Sequence, residues 1–488
     1  MFKIVERLKK QKSLVRISHR IVIAVNCSDM EDNMNRNKLG EGNISDLLRE
    51  FALPSIIAML VSSLYNIVDQ FFIGRSVGEL GNAATNISFP LSIMCVAIAL
   101  LFGIGGASAF NLAMGKGDKE EAVYYMGNSA VMQFVCGTVL AIVTITYLEP
   151  MLNFFGSPDN VLGYAMTYTR IVALGFPFLI FATGGGHLIR ADGSPRFTMI
   201  CNLTGAVVNT ALDALFVFGF KWEMAGAAVA TIIGQVISCA MSVYYLSHCK
   251  SVRLTKKHLI IKRKYVTRIM ALGTAPCGNQ LSMMIVQIVM NKSLKYYGSK
   301  SIYGESIPIA CVGIITKVNQ VFMAFIIGIS QGLQPIVSFN YGAGKYDRVK
   351  EAYKKAVTAG FVIAFIAFLM FQIVPRQIIS VFGNGNELYF KFAVNYFRIF
   401  LMFTFINCMQ PISSNFLTAI GKPRQGVFLS LTRQIIFLLP MIITMPLVMG
   451  IDGIMYAGPI ADCMAGLVSI YMVNREFKRT EYVCRNED

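Results

Sequence analysis

Two aspartates, Asp69 and Asp213, stand inside long apolar runs of the chain, and Asn209 precedes Asp213 by four residues. Asn202, Asn209 and Asp213 are separated by seven and four residues, which at 100° per residue puts them within about 20° of one line on a helix. Thr231 follows in the next apolar run, and Asn66 lies one turn before Asp69. Two carboxylates with an amide and a hydroxyl can bind a small hard cation through oxygen. A buried carboxylate can instead hold a proton, because desolvation and a like charge nearby favour its neutral form. A third reading is that these groups only hydrogen-bond helices together, an expensive use for two uncompensated acids.

Later in the chain the pattern of charge changes. Lys317, Arg433 and Asp462 each sit roughly 10 residues from the end of an apolar run, near its middle. They could form a buried charge network or line a substrate path, and such networks serve structure as often as function. Gln280, Gln287, Asn407 and Gln410 add polar lining there. No metal or cofactor site is expected: the cysteines number 11, none forms a Cys-x-x-Cys, and most lie in apolar runs as small hydrophobes. His187, after three glycines, is expected to hydrogen-bond at an interface rather than ligate. Gly115-Lys116-Gly117-Asp118 lacks the spacing of a phosphate loop. No nucleotide-binding domain is present in the sequence, so no ATPase partner is expected, and no catalytic dyad supports an intramembrane enzyme.

These residues require membrane helices to position them. The chain has 488 residues, 55% hydrophobic and 15% charged, too apolar for a soluble surface. Runs of about 20 apolar residues, the length that crosses a bilayer, recur about a dozen times and do not alternate, so helices are predicted rather than a barrel. The expected spans are 51–73, 86–113, 123–147, 162–187, 196–220 and 224–247, then 265–291, 308–339, 351–374, 391–417, 424–449 and 452–474. The fold class is therefore all-α integral membrane, with twelve transmembrane helices in two six-helix bundles. Residues 1–45 are predicted to be a disordered cytoplasmic tail, without a cleavable signal; Met30 or Met34 would make a more ordinary start. Then come an N-lobe (46–247), a basic cytoplasmic linker (248–264), a C-lobe (265–474) and a cytoplasmic tail (475–488).

The net charge of +17 does not point to nucleic acid, because Lys and Arg concentrate in alternate loops. His248 to Arg268 alone carries eight and no acid. By the positive-inside rule both termini are cytoplasmic. In that orientation Asp69 lies roughly 27 Å along its helix, Asp213 roughly 25 Å and Thr231 about 10 Å from the outer end. The polar cluster thus falls in the outer half of the membrane.

The halves are diverged copies. Ala191-Asp192-Gly193-Ser194-Pro195-Arg196 matches Ala419-Ile420-Gly421-Lys422-Pro423-Arg424 at an offset of 228, which also pairs Tyr168 with Tyr396 and Arg170 with Arg398. An offset of 227 pairs Phe155-Gly156 with Phe382-Gly383 and Gly115-x-Gly117 with Gly342-x-Gly344, and one of 222 sets Pro54 against Pro276. Repeats of this kind build secondary transporters, with the substrate path between the halves. The copies match in frame but not in charge: Asp69 aligns with Asn291, Asp213 with Met441 and Thr231 with Pro459, while Arg433 falls opposite Gly205 and Asp462 opposite Gly234. Pro54, Pro90, Pro177, Pro276, Pro335, Pro411 and Pro440 interrupt spans and predict kinks.

The run Phe51-Ala52-Leu53-Pro54 through Tyr65-Asn66-Ile67-Val68-Asp69-Gln70-Phe71-Phe72-Ile73-Gly74 resembles the first helix of multidrug and toxic compound extrusion (MATE) transporters. The paired Gly-x-Pro-Arg loops and the Gly342-Ala343-Gly344 turn are similar to that family's repeat landmarks, and the resemblance covers about residues 40–475. It implies a V-shaped arrangement of two six-helix lobes and antiport of a drug or metabolite against H⁺ or Na⁺. The site residues resemble the DinF-like branch, in which an Asp on helix 1, an Asn and Asp four apart on helix 5 and a Thr on helix 6 form the cation site. Asp69, Asn209, Asp213 and Thr231 occupy those positions. Other branches carry a coupling acid on helix 7, and no acid lies between Tyr265 and Asn291, which favours coupling in the first half.

The expected function is alternating-access export of amphipathic, often cationic, organic compounds in exchange for H⁺ or Na⁺. The chain would act as a monomer in the plasma membrane, with a small-molecule substrate and membrane lipid as its partners. The alternatives are a flippase or exporter of a lipid-linked or polysaccharide precursor, and a channel.

Overall fold

The computed structural model describes residues 38–76, 79–155, 157, 159–220, 222–304, 306–382 and 387–487. The expected disordered tail falls almost wholly at 1–37, outside the described residues. By contact the chain divides at Asn43. The first unit shows one short helix, Lys38–Glu41, and the second holds all the long helices.

Among the described residues ten helices are long and apolar enough to cross a membrane, and two bent pairs, each taken as one span, bring the number to twelve. They are α1 (Ile44–Ser76), α2 (Glu79–Gly115), α3 (Lys119–Thr146), α4 (Asp159–Leu174 and Phe176–Ala191), α5 (Pro195–Asp213), α6 (Glu223–Ser247), α7 (Arg263–Ser299), α8 (Ser306–Gly342), α9 (Tyr346–Ile373), α10 (Glu387–Phe400 with Thr404–Ala419), α11 (Pro423–Met449) and α12 (Ile451–Glu487). Among the described residues there is no strand, as lipid demands of a chain whose backbone must satisfy itself locally. Two predicted spans are not continuous: α4 bends by 54° and α10 by 47°. In α4 the break falls at Gly175, just before Pro177, whose missing N–H removes the bond that would carry the helix through. Pro54, Pro90, Pro276 and Pro335 lie inside continuous helices.

The duplication reaches the backbone torsions. Gly117 (φ 84°) and Gly344 (φ 71°) pair at 227, and Gly193 (φ 88°) and Gly421 (φ 83°) pair at 228. Each turns the chain out of a helix, and the matching bonds close over it: Asp118 N–H to Ala113 O and Lys345 N–H to Asn340 O, Ser194 N–H to Ile189 O and Lys422 N–H to Leu417 O. A left-handed C-cap of this kind favours glycine because it has no Cβ. The short helices Leu148–Phe154 and Pro375–Phe382 are also equivalent.

The halves meet through α7 against α2 and α8 against α1. Both seams are made of backbone. Gly273 lies against Leu101 and Gly105 against Ile269, while Gly342 packs on Leu112 and Gly115 on Phe339. A Cβ at Gly328 would fall 2.6 Å from Ile56 Cα, and one at Gly332 2.5 Å from Ala52 Cα. Gln334 crosses the seam, donating to Ile104 O at 3.2 Å and Ser108 Oγ at 2.9 Å. All of these contacts lie toward the end of the bundle that carries the basic loops.

Two segments read as loop or tail are built into the fold. In the linker, Asn128 donates to His258 O and Ile260 O and accepts from Lys262 N–H at 2.8 Å. Asp192 accepts Lys250 N–H at 2.8 Å and Ser251 N–H at 3.1 Å. Tyr124 stacks on Tyr265 with Lys262 over its face. At the other terminus, residues 475–487 continue α12, which runs on to Glu487. Glu476 there is buried against Lys422, and Phe477 packs on Tyr353 and Phe416.

Candidate functional site

The first-half residues converge. α1 packs along α5, and α6 covers both. Asp213 ends the regular part of α5 and is followed by a π-helical turn, Ala214–Gly219. Such turns insert a residue into the ladder and recur at functional sites. One turn beyond Asp69, Phe72 meets Phe218 of that turn with ring centroids 5.6 Å apart. This contact brings Asp69 and Asp213 within electrostatic reach of each other. Asn209 Nδ2 donates to Thr231 Oγ1 at 3.3 Å, and Thr231 donates to Ala227 O at 3.0 Å.

The acceptor oxygens of this pocket are unused. Asp69 Oδ1, both carboxylate oxygens of Asp213 and Asn209 Oδ1 are buried with no hydrogen-bond partner. Four orphaned acceptors in one place leave a concentration of negative potential there. Such a set of oxygens can accept a hard cation or a proton, and because the Asn209 amide nitrogen is engaged by Thr231 its oxygen is left as the free acceptor. Tyr65 and Tyr168 lie within electrostatic reach of both carboxyls and escaped the sequence reading, although Tyr168 is one of the repeat-paired positions. Ser88 and Thr169 bond at 2.6 Å beside Tyr168. Asn202 is only partly buried, higher on the same α5 stripe. The side chain of Asn66 lies outside the described residues.

The second-half charges do not form one network. Arg433 Nε donates to Asp462 Oδ1 at 2.5 Å, with Asp462 buried and Arg433 partly buried. Arg433 stands in a second π-helical stretch, Thr432–Leu438. Lys317 has no part in this pair: it is exposed on α8. Gln410 is buried and donates to Leu429 O at 2.9 Å and Ser430 O at 3.2 Å, so it ties α10 to α11. Asn407 is buried as well. Gln280 is partly exposed, and Gln287 is exposed, donating to Asn291 Oδ1 at 3.0 Å. His187 is a buried hydrogen-bonder, its Nδ1 2.9 Å from Arg190, which also reaches Ser55 at 3.4 Å. Among the described residues no group of three or more His, Cys, Asp or Glu could hold a metal ion.

Comparison with known proteins agrees with this architecture. The chain is 23% identical over 434 residues to a protein of Staphylococcus haemolyticus (strain JCSC1435) named multidrug export protein MepA, covering 89% of this chain and 94% of that one. A protein of the same name from Staphylococcus aureus (strain MSSA476) is 22% identical over 87% of this chain and 92% of its own. Among solved structures, a MOP superfamily transporter from Pyrococcus furiosus superposes with a TM-score of 0.85 at 20% identity, covering 91% of this chain and 98% of that one. A multidrug resistance MATE family transporter described as outward-facing gives the same TM-score, identity and coverage. A sequence profile of the MatE family matches residues 54–215 and 277–444, one stretch in each half. With most of its length so matched, the chain belongs to the MatE family, whose members are membrane transporters and not enzymes.

Proposed function

We propose that this protein is a multidrug-type exporter, an antiporter that expels amphipathic organic compounds in exchange for H⁺ or Na⁺ at the Asp69–Asp213 pocket. The observation that carries this reading is the set of four buried, unpartnered oxygens on Asp69, Asn209 and Asp213. A cation or proton entering there satisfies those oxygens, and it drives transport only by binding one conformation better than the other. The names of the staphylococcal relatives support export of drugs. The basic loops support a plasma-membrane orientation with both termini in the cytoplasm, and a single chain supplies both halves.

The test is transport by proteoliposomes under a Na⁺ gradient and a pH gradient imposed separately. One of the two gradients should drive export by the wild type, and Asp69→Asn or Asp213→Asn should abolish that dependence while leaving folded, inserted protein. Gradient-driven export at wild-type rates in both variants would sink the proposal.

A further inference from the structure

The inner faces of the two halves can be followed outward from the seams by helical phase. On α8, Gly328 touches Ile56, and Gln331 Nε2 reaches Met59 Sδ at 3.7 Å. Lys317 precedes Gly328 by eleven residues, so it lies within about 20° of the same line, roughly 16 Å further from the basic end. It therefore faces the first half, yet it is exposed, and a Cβ on its neighbour Gly313 would meet nothing within 4 Å. On α7, Gln280, Gln287 and Asn291 follow Gly273 by seven, fourteen and eighteen residues, all within about 40° of its line. The second half thus presents amides and one ammonium.

The opposing wall is of a different kind. On α2, Met94, Pro90 and Ile87 continue the line of Leu101 to within about 40°; each is partly exposed and none carries charge. Asp69 cannot neutralise Lys317 from α1. It lies thirteen residues beyond Ile56, about 140° around the helix, turned toward α5. Arg433 and Asp462 satisfy each other, and among the described residues Lys317 has no ion-pair partner. An exposed cation on the face turned toward the other half, with no ion-pair partner of its own, attracts a counter-ion from the solute that enters.

We propose that the transported substrates include amphipathic organic anions, whose carboxylate, phosphate or sulfonate pairs with Lys317 and accepts hydrogen bonds from Gln280 and Gln287. The apolar body of the anion lies against Met94, Pro90 and Ile87. This deepens the export reading and rests on it, while setting the substrate subsite apart from the Asp69–Asp213 pocket.

The test is equilibrium binding of three matched fluorophores to full-length protein in detergent: dansylglycine (anionic), dansylamide (neutral) and dansylcadaverine (cationic). Wild type should bind dansylglycine about tenfold more tightly than dansylcadaverine. Lys317→Gln should erase that preference without changing dansylamide binding, Lys317→Arg should keep it, and Lys317→Glu should reverse it. Equal binding of the three probes by wild type, binding of none, or an equal loss of all three in Lys317→Gln overturns the proposal. Asp69→Asn separates the two readings, because it should retain dansylglycine binding while losing gradient-driven export. Charge-selective binding with export indifferent to any ion gradient would remove the antiport mechanism alone.

Discussion

The two halves share a backbone down to the φ of their turn glycines, yet they treat charge in opposite ways. In the first half, two carboxyls sit close together with their buried oxygens unpartnered. In the second, the buried acid is matched by a guanidinium at bonding distance. A buried pair is held by mutual compensation, whereas a buried unpaired acid persists only if something else repays its desolvation. The comparison therefore separates a compensated charge from an uncompensated one, something that charge counting alone does not do.

The sharpest way to break this contrast is Asp462→Leu. It leaves the partly buried Arg433 without its carboxylate and should cost up to about 3–5 kcal/mol, read as a large fall in apparent melting temperature in detergent. The double variant Arg433→Met/Asp462→Leu should recover most of the loss. If the single variant melts with wild type, the second-half pair is not structural. Next in size is the seam, where both halves contribute equally. Gly273→Ala places a methyl into Leu101 O and should cost about 1–3 kcal/mol as overpacking, whereas alanine at Gly313, which faces open space, should melt as wild type does.

Asp213→Asn should be milder still. Removing one of two like charges should leave the melting temperature within about 1 kcal/mol of wild type or raise it, although coupling is lost. A large destabilisation there would make the first-half acids structural after all.

The smallest effect belongs to the linker. Burial, with Lys257 and Lys262 nearby, holds the His258 imidazole below its ordinary value against the opposing pull of Glu120. Its Nδ1 accepts Thr255 N–H at 3.1 Å. A depressed histidine contributes stability above its unfolded pKa, near 6.5, and loses it as pH falls through the folded value. Melting temperature should thus drop slightly from pH 7.5 to 5.5, and that part of the drop should vanish in His258→Gln.

Much of this was legible in the sequence, for identifiable reasons. The spans follow from hydropathy, the repeat from fixed offsets, and Asp69, Asn209, Asp213 and Thr231 from the scarcity of polar groups in apolar helices. Phase on one helix is also readable, which is why the α5 stripe survived. What stayed hidden depends on contacts between distant segments. That Gln410 ties α10 to α11 shows only once Leu429 O is seen to accept its amide. Lys317 groups naturally with Arg433 and Asp462 until the fold places it on another face. The π-helical turns after Asp213 and around Arg433 leave no compositional mark, because they are settled by the packing of neighbouring helices. The linker looked like a basic loop because its anchors, Asn128 and Asp192, lie 50 or more residues away in the chain.

The glycine seams have a kinetic consequence. Where Gly273 meets Leu101 and Gly328 meets Ile56, main chain approaches main chain, and the Gln334 side chain bonds across the seam to Ile104 O and Ser108. Surfaces with so few interlocking side chains can part once the Gln334 bonds to Ile104 O and Ser108 are given up, and the carbonyls laid bare have lone pairs ready for water. A seam of this kind resists separation less than one of interdigitated side chains.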